Sequence, residues 1–202
     1  MRMTLGQLRR LLREEALDEA IDLPRMAQRA MHGRAIVTMT DSTDDAVLVI
    51  DPNTGAVVAA VLASIGTHAV STLFAEHPID TTLVLVAALR IFGSMRPMGM
   101  VSPAAKSVIK RYYDSCAGDP KLVRHDRPNR PQTFMSATYL DPGAPDLGPA
   151  LRRGTEFVTQ RAAERGVKSG AIKRELFSAA IDGFEIAHND DRRTGYGKKY
   201  KT

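Results

Sequence analysis

The chain lacks the residues that several functional classes need. It has no tryptophan, and its single cysteine, Cys116, excludes an intrachain disulfide. The five histidines are far apart, so the sequence predicts no metal site. The longest apolar run, Leu83 to Leu89, is far shorter than the ~20 residues of a membrane-spanning helix. Neither a Walker loop nor a dinucleotide-binding fingerprint is present. We therefore expect a globular protein with no membrane partner.

The excess of positive charge is confined to one end of the chain. The net charge is +5. The last eleven residues contain five cations and no acidic residue, namely Arg192, Arg193, Lys198, Lys199 and Lys201. Positions 1–191 are consequently neutral overall, with 23 basic and 23 acidic residues. The sequence predicts a basic tail that contacts nucleic acid or an acidic partner, and a solvated terminus is the alternative.

The first part of the chain predicts helices followed by strands. Leucines at helical spacing indicate an amphipathic helix from Leu5 to about Glu19, and a second helical piece is expected from Arg25 to Met31. Runs rich in valine and isoleucine then predict strands. The clearest pair is Asp45 to Asp51 with Ala56 to Ala63, because "PNTG" between them is a hairpin turn. Thr67 to Ala75 is the next predicted strand.

Helices and short strands alternate in the rest of the chain. The helix from about Thr81 to Phe92 is closed by Gly93, and Asp80 is predicted as its N-cap. Met98 to Val101 is a short predicted strand, and Ser102 with Pro103 signals the start of another helix. Two weaker strands, in "KLVRHD" and "QTFMSATYL", come next. Helices from Ala150 to about Arg165 and from Ala171 to about His188 complete the pattern.

This order of elements is similar to that of the GNAT (N-acetyltransferase) fold. The resemblance covers about Ala46 to Tyr113, including the stretch "FAEHPIDTTLVLVAALRIFG" and the segment "SPAAKSVIKRYYDS". Both segments also resemble acetyltransferase-like proteins of tailed bacteriophages, as does the Leu/Arg/Glu-rich opening of the chain. The resemblance implies an α+β fold with a GNAT-like central mixed or antiparallel sheet flanked by helices. An N-terminal amphipathic helix and a C-terminal helical pair are added to it.

The resemblance also implies an organisation and a location. We expect an N-terminal helical arm at 1–30, a GNAT-like domain at 31–145, C-terminal helices at 146–190 and the basic tail at 191–202. A phage-encoded protein of this kind is expected in the host cytoplasm or in the virion.

If the chain is an enzyme, the resemblance implies acetyl-CoA-dependent N-acyl transfer. The cofactor residues are then His77, Ile79, Asp80, Thr81 and Thr82, in the turn where GNAT proteins hold the pyrophosphate. Glu76 or His77 is the candidate general base, and Tyr112 or Tyr113 the candidate acid. The turn departs from the family's glycine-rich pattern, because Pro78 has no N–H and Asp80 adds a negative charge.

The sequence is also compatible with two other functional hypotheses. In one, the fold serves a non-enzymatic virion-associated structural protein that docks on a phage partner through residues 1–20. In the other, the chain is a nucleic-acid-binding protein that depends on its tail. The same turn residues also suit a purely structural role, since Asp80 fits a helix N-terminus.

Overall fold

Seven strands and five helices make up the part of the chain that the structure describes. The structure is a computed structural model, and it describes residues 22–97, 103–127 and 136–193. The helices are α1 (Leu23–Ala30), α2 (Pro78–Phe92), α3 (Pro103–Cys116), α4 (Gly148–Glu164) and α5 (Ser169–Arg193). The strands are β1 (Ala35–Thr40), β2 (Asp44–Ile50), β3 (Val57–Ser64), β4 (Ala69–Ala75), β5 (Ser94–Pro97), β6 (Val123–His125) and β7 (Ala137–Leu140).

The strands form one mixed sheet in the order β1-β2-β3-β4-β5-β7-β6. All neighbouring pairs are antiparallel except β4 and β5, which are parallel. Helix α2 joins this pair, because two parallel strands need a crossover connection. Their described pairing consists of Ala69 with Arg96 and Val70 with Pro97. The chain is therefore an α+β protein with a mostly antiparallel sheet flanked by helices, as the sequence predicts.

Helices cover both faces of the sheet. On one face, α1, α2 and α3 pack against Ile36, Val47, Val61 and other side chains of the same orientation. On the opposite face, α4 and α5 pack against Val37, Leu48 and their neighbours. Because helices exclude water from both faces, β2 and β3 have apolar residues at successive positions. An antiparallel strand with one exposed face would instead alternate apolar and polar residues.

Helix α4 lies directly on the edge strand β1. A Cβ atom added to Gly154 would be 1.9 Å from the carbonyl oxygen of Ile36. Only glycine allows this approach, since real Cβ contacts are never so short. The helix thereby covers the first half of β1.

Most of the predicted elements are confirmed with shifted ends. The hairpin is formed by β2 and β3. The predicted strand Thr67 to Ala75 corresponds to β4, the second helical piece to α1, and the C-terminal helix pair to α4 and α5. A strand follows α2 at Ser94–Pro97, whereas the predicted strand Met98 to Val101 lies outside the described residues. The predicted helix Leu5 to Glu19 and the N-cap Ser102 also lie outside them.

Candidate functional site

The turn between β4 and α2 is the first candidate site. Glu76 and His77 both lie on the surface there. The backbone N–H of Glu76 donates to the carbonyl of Val58, at 2.9 Å, which fixes the end of β4 against β3. His77 has an extended backbone and is the N-cap of α2, without a capping bond from its side chain. The two candidate bases are thus solvent-exposed side chains on an ordered turn.

The prediction that Asp80 is the N-cap of the helix is wrong. Helix α2 begins at Pro78, one turn earlier than predicted, and Asp80 lies inside its first turn. The Asp80 side chain is 1% exposed. Its two oxygens accept hydrogen bonds from Arg34, from Nε at 3.0 Å and from Nη2 at 3.1 Å. This fork-like geometry is the strongest arrangement of an arginine and a carboxylate, and it explains how a charge is buried at this position.

Arg34 connects four elements around that carboxylate. Its Nη1 atom is 3.5 Å from Asp51, at the start of the β2–β3 turn. Its own carbonyl accepts from Nε of Arg153 in α4 at 2.8 Å. The Nη2 atom of Arg153 donates to the carbonyl of Met31, at 2.7 Å, just after α1. The first turn of α2 is thereby tied to α1, the β hairpin and α4.

These residues do not fit a pyrophosphate in the manner of a GNAT cofactor turn. Such a turn presents successive backbone N–H groups at a helix N-terminus. Pro78, the first helical residue, has no N–H, and the N–H of Thr81 already donates to the carbonyl of His77 at 3.1 Å. Among the other cofactor candidates, Ile79 is half exposed, whereas the side chains of Thr81 and Thr82 are buried.

Tyr112, a candidate acid, is buried between α3 and the β6–β7 strands. Its side chain is 2% exposed. Its hydroxyl donates toward the carbonyl of Leu140 at 3.3 Å and lies 3.5 Å from that of Leu122. Burial, chiefly, and the neighbouring Cys116 raise the pKa of Tyr112 above its ordinary value. A hydroxyl that holds its proton so firmly and faces carbonyl groups is suited to packing.

Tyr113, the other candidate acid, is partly buried and meets a histidine. Its ring contacts His125 edge-on, with centroids 6.1 Å apart. His125 Nε2 lies 3.4 Å from the carbonyl of Ala117, and its buried Nδ1 has no hydrogen-bond partner in the described part of the chain. Tyr113 and His125 therefore form a small aromatic contact beside α3.

The basic tail is described only where it joins α5. This helix continues to Arg193, so Arg192 and Arg193 are its last two residues. Lys198, Lys199 and Lys201 lie outside the described residues.

In residues 22–97, 103–127 and 136–193, no three His, Cys, Asp or Glu side chains are grouped as they would be around a metal ion. No helix within the same ranges has the length and apolar character to span a membrane.

Arg34 is the site residue that sequence reasoning missed. It lies 46 positions from Asp80, and no local pattern links the two. The only signal in the sequence is its position immediately before the apolar run of β1, where a cation is next to a buried element.

Comparison with known proteins adds no assignment. No protein-family model, curated protein or solved structure matches the chain.

Proposed function

We propose that the chain is a GNAT-like phage protein that keeps the acetyltransferase scaffold without its cofactor chemistry and works as a non-enzymatic, virion-associated component. The observation that carries this proposal is the ion pair between Asp80 and Arg34. It occupies the turn where the family holds a pyrophosphate, and it uses that turn to join helices and strands.

The β4–α2–β5 unit supports a GNAT-like fold. A strand, an apolar helix and a parallel strand follow one another at the centre of the sheet. The strands are the only parallel neighbours in the described sheet, and their described pairing is limited to two residue pairs. Short pairing is what a splayed central pair of the GNAT kind requires.

The candidate acid and base side chains support a scaffold without catalytic activity. Proton transfer needs a group with a pKa near the working pH, placed within hydrogen-bond reach of the reacting atom. Tyr112 is buried on carbonyl groups with a raised pKa. Glu76 and His77 are exposed, and the side chain of His77 makes no capping hydrogen bond to α2 that would hold it in place. The lost N–H at Pro78 removes a donor that the cofactor needs.

The sequence supports the phage context and the docking role. The resemblance of the α2 and α3 segments and of the N-terminal opening is to proteins of tailed phages. In this proposal the N-terminal arm docks on a particle protein, and the cations of the tail contact nucleic acid or an acidic protein surface.

Calorimetry with acetyl-CoA tests the loss of cofactor chemistry. The full chain at high micromolar concentration is titrated with acetyl-CoA and, in parallel, with CoA alone. We expect no saturable heat from either. Saturable binding of acetyl-CoA, abolished in Pro78→Glu and accompanied by amine acetylation that is lost in a Glu76→Gln/His77→Ala double variant, would contradict the proposal and establish acetyl transfer.

Particle composition tests the docking role. Mass spectrometry of purified particles of the encoding phage should detect the chain. A chain that lacks residues 1–20 should be absent from particles at equal expression, whereas one that lacks residues 194–202 should still be incorporated. Absence of the full chain from particles would overturn the structural role.

A further inference from the structure

A cavity that is open to solvent lies at the β1 edge of the described sheet, where the end of β1 meets the start of α5. Its volume is about 400 Å³, and it is lined by Thr38, Met39, Thr40, Gly170, Lys173 and Arg174. Sites for small molecules measure about 300–1,000 Å³. None of the lining residues belongs to the β4–α2 turn or to the tyrosine region.

The position of the cavity follows from how the two C-terminal helices cover β1. Among the described strands, β1 pairs with β2 alone, so its other side is an edge. Helix α4 seals that edge at Ile36, through the close approach of Gly154. Further along, Lys173 of α5 reaches the strand, and its Nζ donates to the carbonyl of Thr38 at 2.8 Å. The cavity begins at this second contact and extends along Thr38 to Thr40, which face Gly170, Lys173 and Arg174.

The cavity is positively charged. Lys173 and Arg174 contribute two cations, and no acidic residue is among those that line it. The hydrogen bond of Lys173 is to a neutral carbonyl, which leaves its charge uncompensated. In the described part of the chain, no carboxylate lies within ion-pair distance of either cation.

Two acidic residues lie next to the end of the strand, since Asp41 follows Thr40 in the chain and Asp45 pairs with it across the sheet. The carboxylate of Asp45 accepts from the hydroxyl of Thr40 at 2.7 Å. The Asp45 side chain is on the same face of the sheet as Val47 and Val49, because every second residue of a strand shares a face. These two valines pack in the cluster of α1, α2 and α3. Helix α5 packs on the opposite face, and neither Asp41 nor Asp45 forms an ion pair with the two described cations that α5 presents.

We propose that this cavity binds a small anionic ligand, a carboxylate or a phosphate ester, through the ammonium group of Lys173 and the guanidinium group of Arg174. Arginine pairs with both kinds of anion in a two-point geometry, and lysine adds a point charge. Gly170 leaves space for the ligand, because the nearest atom to a Cβ added there is Nη1 of Arg174, at 4.0 Å.

Calorimetric titration of the full chain at low salt tests the proposal, with citrate as the carboxylate probe and inorganic phosphate as the phosphate probe. We expect one-to-one saturation by at least one of them, and the tighter probe identifies the anionic group. A Lys173→Ala/Arg174→Ala double variant should weaken its binding by roughly tenfold or more. The matched double variant Lys121→Ala/Arg124→Ala, at the opposite edge of the sheet, removes the same charge and should change affinity by less than about twofold.

A third variant separates binding from folding. Gly170→Glu keeps both cations but places a carboxylate beside Arg174, in the space that the ligand needs. We expect the melting temperature without ligand to be retained and the affinity to fall by roughly tenfold. The proposal is overturned if neither probe saturates below about 10 mM. Equal affinity in all variants, or equal losses in the two double variants, would also overturn it.

Discussion

At the scale of single residues, burial has different consequences for Asp80 and for the tyrosines. A carboxylate removed from water needs an opposite charge and hydrogen bonds to its oxygens. Arg34 provides both, and it is itself held by Asp51 and positioned beside Arg153. A tyrosine needs only an acceptor for its hydroxyl, and Tyr112 finds this in backbone carbonyls. The ion pair therefore determines how four elements meet, whereas Tyr112 fills space between two.

We expect Asp80→Asn to destabilise the protein by about 3 kcal/mol. Removing one member of a buried pair leaves the other charge uncompensated, which costs about 3–5 kcal/mol. Arg34 is about a quarter exposed and keeps Asp51 nearby, so the lower end of that range applies. Urea unfolding followed by circular dichroism measures the change.

The control for this change is Asp114→Asn. Asp114 pairs with Lys110 one turn away on α3, and both side chains are more than half exposed. Exposed pairs of this kind contribute less than about 0.5 kcal/mol. If Asp80→Asn costs no more than Asp114→Asn, the ion pair does not hold the first turn of α2.

At the scale of elements, α3 buries a stripe at helical spacing that contains a thiol. Ile109, Tyr112 and Cys116 face the core together. The Cys116 thiol points back to the carbonyl of Tyr112, at 2.8 Å. Burial raises the pKa of this thiol from 9.0 to about 11, and it also raises the pKa of Tyr112 and Tyr139.

We expect the free energy of unfolding to fall as the pH rises from about 9 to about 11. In this range the unfolded chain releases the Cys116 proton, while the native state keeps it until about pH 11. The native state thus binds more protons, and stability decreases with pH. The buried tyrosines extend the loss above about pH 10. Urea unfolding at pH 7.5, 9, 10 and 11 measures the curve.

A Cys116→Ala variant assigns the first part of that decline. It has no thiol to titrate, so its free energy of unfolding should fall less than that of the wild type between about pH 9 and pH 10, and the decline that remains should come from the tyrosines. A decline identical to that of the wild type would show that the thiol is not responsible.

The elements also show which parts of the fold the sequence can predict. The β2–β3 hairpin is predictable because "PNTG" joins two apolar runs, and both the strands and the turn are local signals. The start of α2 is not, because Asp80 has the local properties of an N-cap and is buried through Arg34, which is distant in sequence. The burial of Tyr112 is predictable in principle from its spacing with Ile109 and Cys116.

The same distinction applies to the two candidate sites. Glu76 and His77 can be named as candidates from the sequence because they stand next to each other at the end of a predicted strand. The cavity is not found, because Thr38 and Lys173 are 135 positions apart. Their meeting depends on the path of α4 and α5 across the sheet, which only tertiary packing determines.

At the scale of the whole molecule, α4 and α5 complete the core of a sheet that is apolar on both sides. Val37, Leu48, Ile50 and Leu62 face these two helices and are almost fully buried. Without the helices, this face would form a large exposed apolar patch, which soluble monomers rarely tolerate. Residues 31–145 contain all seven described strands, whereas the two helices that cover this face lie after them in the chain.

We therefore expect a chain truncated after Asp146 to lose cooperative folding. The exposed sheet face should bind the dye ANS and promote association, and calorimetry should show no sharp thermal transition. A chain truncated after Arg193 is the control, because it keeps both helices and should melt as the full chain does. A sharp transition in the shorter chain would show instead that residues 31–145 fold as a domain of their own, with the C-terminal helices as an addition to it.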